Sequence, residues 1–170
     1  TTTGFCTADY MLWHPLLWLI ISGLMYLGAC SGSTTGGMKC VRGAILGRVM
    51  INEFKRIVHP NAIIPVRMSH KIIATPVQSA ILAYTVLYVG VVMVGVIVNV
   101  ACGLEFMEAY GLSVSCTSNI GPALGNYGPA FSMNSLPEVL KWFCSFQMLV
   151  GRLEFFAVLL MLTPMFWRKQ

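Results

Sequence analysis

Length, composition and charge place this sequence among integral membrane proteins. Of its 170 residues, 56% are hydrophobic and 10% are charged, and the mean hydropathy is +0.74; these values exclude an ordinary soluble domain. The formal net charge of +5 does not indicate a nucleic-acid partner, because the Lys and Arg residues flank apolar segments instead of forming a stripe.

The first apolar segment, residues 12–27, is too short to be a complete membrane span. At about 1.5 Å per residue it covers roughly 24 Å, less than the roughly 30 Å of a bilayer's hydrocarbon core. The stretch that follows, GACSGSTTGGMK at residues 28–39, contains four glycines among small hydroxyl side chains. We therefore predict a membrane helix that breaks at this stretch and resumes beyond it.

The distribution of charge predicts the orientation of the chain in the membrane. Seven basic residues and one acid, Glu53, lie between residues 39 and 71, and the chain closes with the basic group WRK at residues 167–169. The loops at residues 1–11 and 122–138 contain no Lys or Arg. The basic segments are therefore predicted to face the cytoplasm and the two loops the outside. The seven basic residues are Lys39, Arg42, Arg48, Lys55, Arg56, Arg67 and Lys71.

Residues 77–101 form an apolar run of 25 residues, which predicts a full transmembrane helix. Residues 104–129 then combine an amphipathic segment, a run of Ser, Thr and Asn, and several glycines and prolines. This stretch fits a half-crossing helix that returns as an extended strand, which membranes tolerate only where protein or a water-filled cavity surrounds it. With a further span at residues 139–167, the order is that of a cation-channel pore unit, whose loop carbonyls replace an ion's hydration shell.

The start of the chain resembles the tail of a second such loop. In TTTGF, residues 1–5, Gly4 corresponds to Gly121 of SNIGP, and glycine permits the dihedral angles that point successive carbonyls the same way. Each loop is followed by an outside loop, a proline and an apolar helix, and Pro15 and Pro137 suit the first turn of those helices. The chain is thus predicted to hold parts of two pore units in the same orientation.

Counting from these prolines places the broken stretch and an arginine at a similar depth. Ser31 lies 16 residues after Pro15, and Arg152 lies 15 residues after Pro137. Within the predicted span 139–167, Arg152 is roughly 15 to 22 Å from either end, too far for its side chain to reach the interface. Because a mid-span arginine costs about 2.5 to 3.5 kcal/mol and normally faces an aqueous path, we predict that Arg152 faces the pore.

The glycine-rich stretch has two alternative interpretations. A phosphate-binding P-loop requires a strand before it and Ser or Thr after the lysine, whereas Lys39 is followed by Cys40 and no strand is predicted. A helix-packing patch is the stronger alternative, because the spacing of Gly28, Gly32 and Gly36 permits close helix contact without any gate.

Two classes of function compete with ion conduction. A secondary transporter that binds another small solute at broken helices near the midplane predicts inverted repeats, whereas these two units share one orientation. The other class is a membrane enzyme or a noncatalytic scaffold. An enzyme requires a nucleophile and base or a metal set at one depth, and neither the histidines nor the six cysteines, which include no C-x-x-C pair, supply it. We expect no enzymatic activity and no cofactor in this chain.

Several motifs together resemble the TrkH branch of the TrkH/KtrB superfamily of potassium transporters. They are TTTGF, GACSGSTTGGMK, RIVHPNAIIPV at residues 56–66, SNIGPALG and the closing GRLEFFAVLLMLTPMFWR, and they cover essentially the whole chain. The resemblance implies an all-α membrane protein with four span, pore-helix, span repeats related to a tetrameric potassium channel. Residues 1–76 then hold the end of repeat three, with its filter tail, broken helix and cytoplasmic linker, and residues 77–170 hold repeat four.

The same resemblance implies two functional sites. In a selectivity filter with one glycine per repeat, backbone carbonyls bind the transported potassium ion, the one metal expected. Beneath it, an intramembrane loop and the arginine of repeat four form a barrier to ion flow; Thr35 stands where we expect a third loop glycine. The implied filter positions are Thr2, Thr3, Gly4, Phe5, Asn119, Ile120, Gly121 and Pro122. The implied gate positions are Gly28, Ser31, Gly32, Ser33, Thr34, Thr35, Gly36, Gly37 and Arg152.

The partners that we expect also follow mainly from the resemblance. A filter needs four loops, so the missing first part of the same chain must supply repeats one and two. The family forms homodimers in the cell (inner or plasma) membrane, where its members are multi-pass proteins, and associates with a cytosolic ring of nucleotide-binding regulatory subunits. The basic segment at residues 39–71 is predicted to lie on the side of the membrane that such a ring would reach.

Overall fold

The computed structural model describes residues 2–30, 32–33, 35–60, 64–68, 71–153, 155 and 158. This part of the chain is mostly helical, which confirms the predicted all-α architecture. Its α-helices are α1 (Pro15–Leu27), α2 (Cys40–Val58), α3 (Thr75–Ala101), α4 (Phe106–Ser118) and α5 (Glu138–Arg152). Short 3-10 helices at Tyr10–Leu12, Gly125–Tyr127 and Met133–Ser135 shape the loops between them.

Helix α3 is the complete membrane span predicted at residues 77–101. Its 27 residues extend roughly 40 Å, and among the described helices it is the one that is long and apolar enough to cross a membrane. Pro76 lies in its first turn, where a missing N–H costs nothing. Helix α1, an apolar helix of 13 residues that begins at Pro15, is shorter than a bilayer and ends before Gly28, which confirms the predicted break.

Helix α4 is the predicted half-crossing helix. It has 13 residues, ten of which are buried, because α1, α3 and α5 all pack against it. Asn119, in the left-handed conformation, ends the helix, and residues 120–123 follow without helix or strand structure. Two apolar clusters surround α4. One joins it to α1, α3 and α5, and the other joins it to α5 and the loop near Tyr127.

Two features differ from the sequence prediction. The predicted span 139–167 is not one continuous helix over its described part, because α5 ends at Arg152 and Leu153 adopts a turn. Leu153 is neither a glycine nor followed by a proline, so no local signal marks this end. The closing residues 159–170 and Glu154 lie outside the described part of the chain. The second difference is a two-stranded hairpin, β1 (Arg67–Met68) with β2 (Lys71–Ile72), in the predicted linker.

Candidate functional site

The segment at residues 119–122 is fixed to the end of α4 by hydrogen bonds. The backbone N–H of Ile120 donates to the Ser115 carbonyl at 3.0 Å, and that of Gly121 donates to the Ser115 hydroxyl at 3.1 Å. The side-chain amide of Asn119 donates to the Met148 carbonyl of α5 at 3.1 Å. Gly121 has a φ of +108°, a value that L side chains rarely adopt. The sequence therefore needs glycine at this point for the segment to leave the helix as it does.

The two predicted filter segments lie side by side. Gly4 has a φ of +76°, and a Cβ atom at this position would collide with the Ile120 carbonyl oxygen. The described residues of the first segment are Thr2, Thr3, Gly4 and Phe5; Thr1 lies outside the described part of the chain. A cavity of about 280 Å³ is lined by residues 2–5, Ile120 and Pro122 and reaches Gly28 at the end of α1. Six of the eight predicted filter positions and the start of the predicted gate, Gly28, thus line one cavity.

The outer loops of the two predicted pore units are joined at Tyr10. Its hydroxyl donates to the Ala123 carbonyl at 2.5 Å, and its own carbonyl accepts from the Trp18 indole at 2.9 Å. Burial, together with the nearby Cys6 and Asp9, raises the pKa of Tyr10 to about 12. Its hydroxyl therefore keeps its proton, and this hydrogen bond, well above neutral pH.

Residues 28–39, the broken-helix loop, close on themselves at their base. The Met38 N–H donates to the Tyr26 carbonyl at 3.1 Å, and the Cys40 N–H donates to the Ala29 carbonyl at 3.0 Å. Gly36 and Gly37 near the base are buried, whereas Cys30 and Gly32 are exposed. The predicted gate residues Ser33 and Thr35 are partly buried, and Ser31 and Thr34 lie outside the described residues.

The base of this loop presses against the end of α4. A Cβ atom at Gly36 would lie 2.6 Å from the Ser118 carbonyl oxygen and 2.9 Å from the side-chain nitrogen of Asn119. Both distances are shorter than real Cβ contacts, so only glycine fits between the loop and the helix end. The loop therefore lies directly next to the residue from which the second glycine segment begins.

The end of α5 reaches the same place. A Cβ atom at Gly151 would collide with the Thr117 carbonyl oxygen and lie 3.1 Å from the same Asn119 nitrogen. Arg152 is the next residue and the last of α5, and it is exposed in this chain. The loop and the residue before the arginine thus meet on one side chain. The sequence predicted equal depth for Ser31 and Arg152, but Ser31 lies outside the described residues. Among the described loop residues, Gly36 lies against the same Asn119 side chain as Gly151.

Sequence reasoning missed the contacts that hold α5 against α4. The side-chain amide of Gln147 donates to the Ser113 hydroxyl at 2.8 Å and to the Thr117 hydroxyl at 2.7 Å. Both hydroxyls already donate to backbone carbonyls, of Val92 and Ser113 respectively, so each must accept from Gln147. The one sequence signal for these contacts was Gln147 itself, a polar side chain within a predicted membrane span.

Comparisons with known proteins agree on one family. The family model TrkH, described as a cation transport protein, matches residues 1–169. The Trk system potassium uptake protein TrkH of Vibrio parahaemolyticus is 36% identical over 168 residues, and that of Escherichia coli K12 is 33% identical over 169; each alignment covers 99% of this chain. The crystal structure of the potassium transporter TrkH from Vibrio parahaemolyticus matches with a TM-score of 0.90 at 33% identity, again over 99% of this chain.

The span, half-crossing helix and glycine-containing return define an all-α membrane protein built from pore repeats. The chain belongs to the TrkH family of cation transport proteins. It spans about a third of the length of its relatives: 33% of the Vibrio protein, 35% of the Escherichia coli protein and 36% of the chain in the crystal structure. Among the described residues no group of three or more His, Cys, Asp and Glu side chains could hold a metal ion.

Proposed function

We propose that this chain is the C-terminal part of a potassium uptake transporter, with the end of pore repeat three at residues 1–76 and pore repeat four at residues 77–170. The observation that supports this most strongly is the side-by-side placement of Gly4 and Ile120, which brings the glycine segments of two repeats together. The relatives are named potassium uptake proteins, and potassium is accordingly the transported ion.

In this proposal the two glycine segments form half of a selectivity filter. Their backbone carbonyls replace the hydration shell of potassium as it crosses. Residues 2–5 and 119–122 contribute one segment each, and the hydrogen bonds to Ser115 fix the second segment in place. Because four segments are needed to surround an ion, the first part of the full protein supplies the other two.

The broken-helix loop and Arg152 form the gate in this proposal. A potassium ion about 6 Å from a guanidinium is repelled by about 3 kcal/mol at an effective dielectric of about 20, which lowers ion occupancy roughly 100-fold. The loop narrows the same level of the pathway, because Gly36 and Gly151 both lie against Asn119. The exposed tip of the loop supports this role over helix packing, since Gly32 has open space around it in this chain.

The proposed protein is a multi-pass protein of the cell membrane that works as a homodimer. The basic segment, including α2, faces the cytosol, where a ring of nucleotide-binding regulatory subunits docks. Ion binding at backbone carbonyls requires no enzymatic step and no cofactor in this chain.

Rubidium uptake into vesicles that contain the full-length parent protein tests this proposal. We expect potassium to inhibit the uptake much more strongly than sodium, and Gly121→Ser to reduce this difference by disturbing the filter segment. Uptake that potassium and sodium inhibit equally in the wild type, or a difference that is unchanged in Gly121→Ser, would contradict the filter assignment. Uptake of another solute in place of rubidium would indicate the secondary transporter instead.

A further inference from the structure

The side chain of Tyr84 contacts the broken-helix loop from the neighbouring span. Tyr84 lies on α3 and is only 2% exposed. Its hydroxyl donates to the carbonyl of Gly37 at 3.3 Å, at the end of the loop where the chain enters α2. One residue further along α3, the Thr85 hydroxyl lies 3.8 Å from the sulfur of Met38. Gly37 and Met38, at the C-terminal end of the loop, thus contact α3.

The helix that follows the loop contacts the same tyrosine. Arg42 lies in the first turn of α2, and its guanidinium carbon lies 4.0 Å from the centre of the Tyr84 ring. A guanidinium over an aromatic face is attracted by the ring's quadrupole, and this attraction strengthens where water is excluded. Tyr84 therefore contacts the chain both just before and just after the point where the loop becomes α2.

The chain beyond Arg152 also contacts Tyr84. Phe155, which is fully buried, meets the Tyr84 ring edge to face, with ring centres 5.3 Å apart and planes at 78°. Phe155 is three residues after Arg152. Both parts of the proposed gate, the loop and the arginine segment, are therefore in contact with a single side chain.

We infer that Tyr84 is a positioning residue that holds the broken-helix loop against the end of α4. This inference rests on the proposed gate. The hydroxyl of Tyr84 fixes the Gly37 carbonyl, the Arg42 guanidinium fixes the ring, and Phe155 links this arrangement to the segment of Arg152. Movement of α2 on the cytosolic side would then reach the loop through Arg42 and Tyr84.

Tyr84→Phe in the full-length protein isolates the hydroxyl, because the ring and its contacts with Arg42 and Phe155 remain. Cys30 is an exposed thiol within the loop and reports its position through its rate of reaction with a membrane-impermeant thiol reagent. The other exposed cysteines, including Cys6, Cys40 and Cys102, are first replaced by Ser. We expect Cys30 to react roughly two- to tenfold faster in Tyr84→Phe, the equivalent of one net hydrogen bond.

Tyr88→Phe is the matched control. Tyr88 lies one turn further along α3 and is equally buried, but its hydroxyl pairs with the Ser118 hydroxyl of α4 at 2.6 Å instead of with the loop. We expect the reaction rate of Cys30 to be unchanged in this variant. An unchanged rate in Tyr84→Phe, or the same increase in both variants, overturns the inference, since a general loosening of the aromatic cluster would affect both.

Arg42 provides a second pair of variants that tests the same inference even if Tyr84→Phe does not fold. We expect Arg42→Gln to increase the reaction rate of Cys30. Arg42→Lys keeps a cation over the ring, so its rate should stay close to that of the wild type. Equal rates in Arg42→Gln and wild type overturn the inference. Cys30 labelling needs no ion transport, so a failure of rubidium uptake would contradict the proposed function and leave this test intact.

Discussion

Helices α1 and α5 take matching places in the two proposed pore units, yet they end differently. Each begins behind a proline, Pro15 or Pro137, and each leads to the end of α4. Helix α1 stops before Gly28 and gives way to a loop whose described residues Cys30 and Gly32 are exposed. Helix α5 continues as a helix to Arg152. In the proposed pore units, one chain segment therefore forms a loop where the other carries a charge, and both lie against Asn119 through Gly36 and Gly151.

The end of α5 and the broken-helix loop also differ in how they contact α4. The Gln147 side chain fastens α5 to two hydroxyls of α4 at 2.8 and 2.7 Å, and Gly151 fits tightly against Thr117. The base of the broken-helix loop lies against α4 at Gly36, whereas Gly32 has open space around it in this chain. In this chain α5 is therefore fastened to α4 by side-chain hydrogen bonds and tight packing, whereas the described loop residue Gly32 makes no such contact.

The largest effect is expected for Gly151→Ala, which removes the tight fit of α5. Its Cβ atom would collide with the Thr117 backbone, which cannot rotate away, so we expect the free energy of unfolding to fall by about 3 kcal/mol. Gly90→Ala on α3 is the matched control, because open space surrounds that glycine. Thermal unfolding of the purified parent protein measures both. Equal melting temperatures for the two variants would show that α5 is not held in this way.

A smaller effect, on transport, is expected for Gly36→Ala. The new methyl group would lie 2.6 Å from the Ser118 carbonyl oxygen, so the base of the loop must move away from α4. We expect rubidium uptake to rise roughly tenfold, corresponding to about 1.4 kcal/mol of the strain. Gly23→Ala, on α1 with open space around it, should transport like the wild type. Uptake at or below the wild-type level in Gly36→Ala would contradict a gate at this loop.

Much of this comparison could be predicted from local sequence. Glycine content predicts the break at Gly28, apolar length predicts α3, and the paired glycines of TTTGF and SNIGP predict two related segments that the structure places together. The end of α5 at Arg152 could not be predicted, because no breaker residue marks it.

The contacts that hold the site together could not be predicted from local sequence for a different reason. Tyr84 and Gly37 are separated by 47 residues, and Gln147 and Ser113 by 34. Such pairs depend on how whole helices approach one another, which periodicity and turn chemistry do not encode.

The most direct test of the gate is rubidium uptake by vesicles containing the full-length protein with Arg152→Ala, compared with Arg152→Lys and the wild type. If the charge at the end of α5 is a barrier, Arg152→Ala should raise uptake roughly 10- to 100-fold, as expected for the loss of about 1.4 to 3 kcal/mol of repulsion. Arg152→Lys, which keeps the charge, should stay close to the wild type. Unchanged uptake in Arg152→Ala, or equal uptake in the two variants, would contradict an electrostatic gate formed by Arg152 and the broken-helix loop.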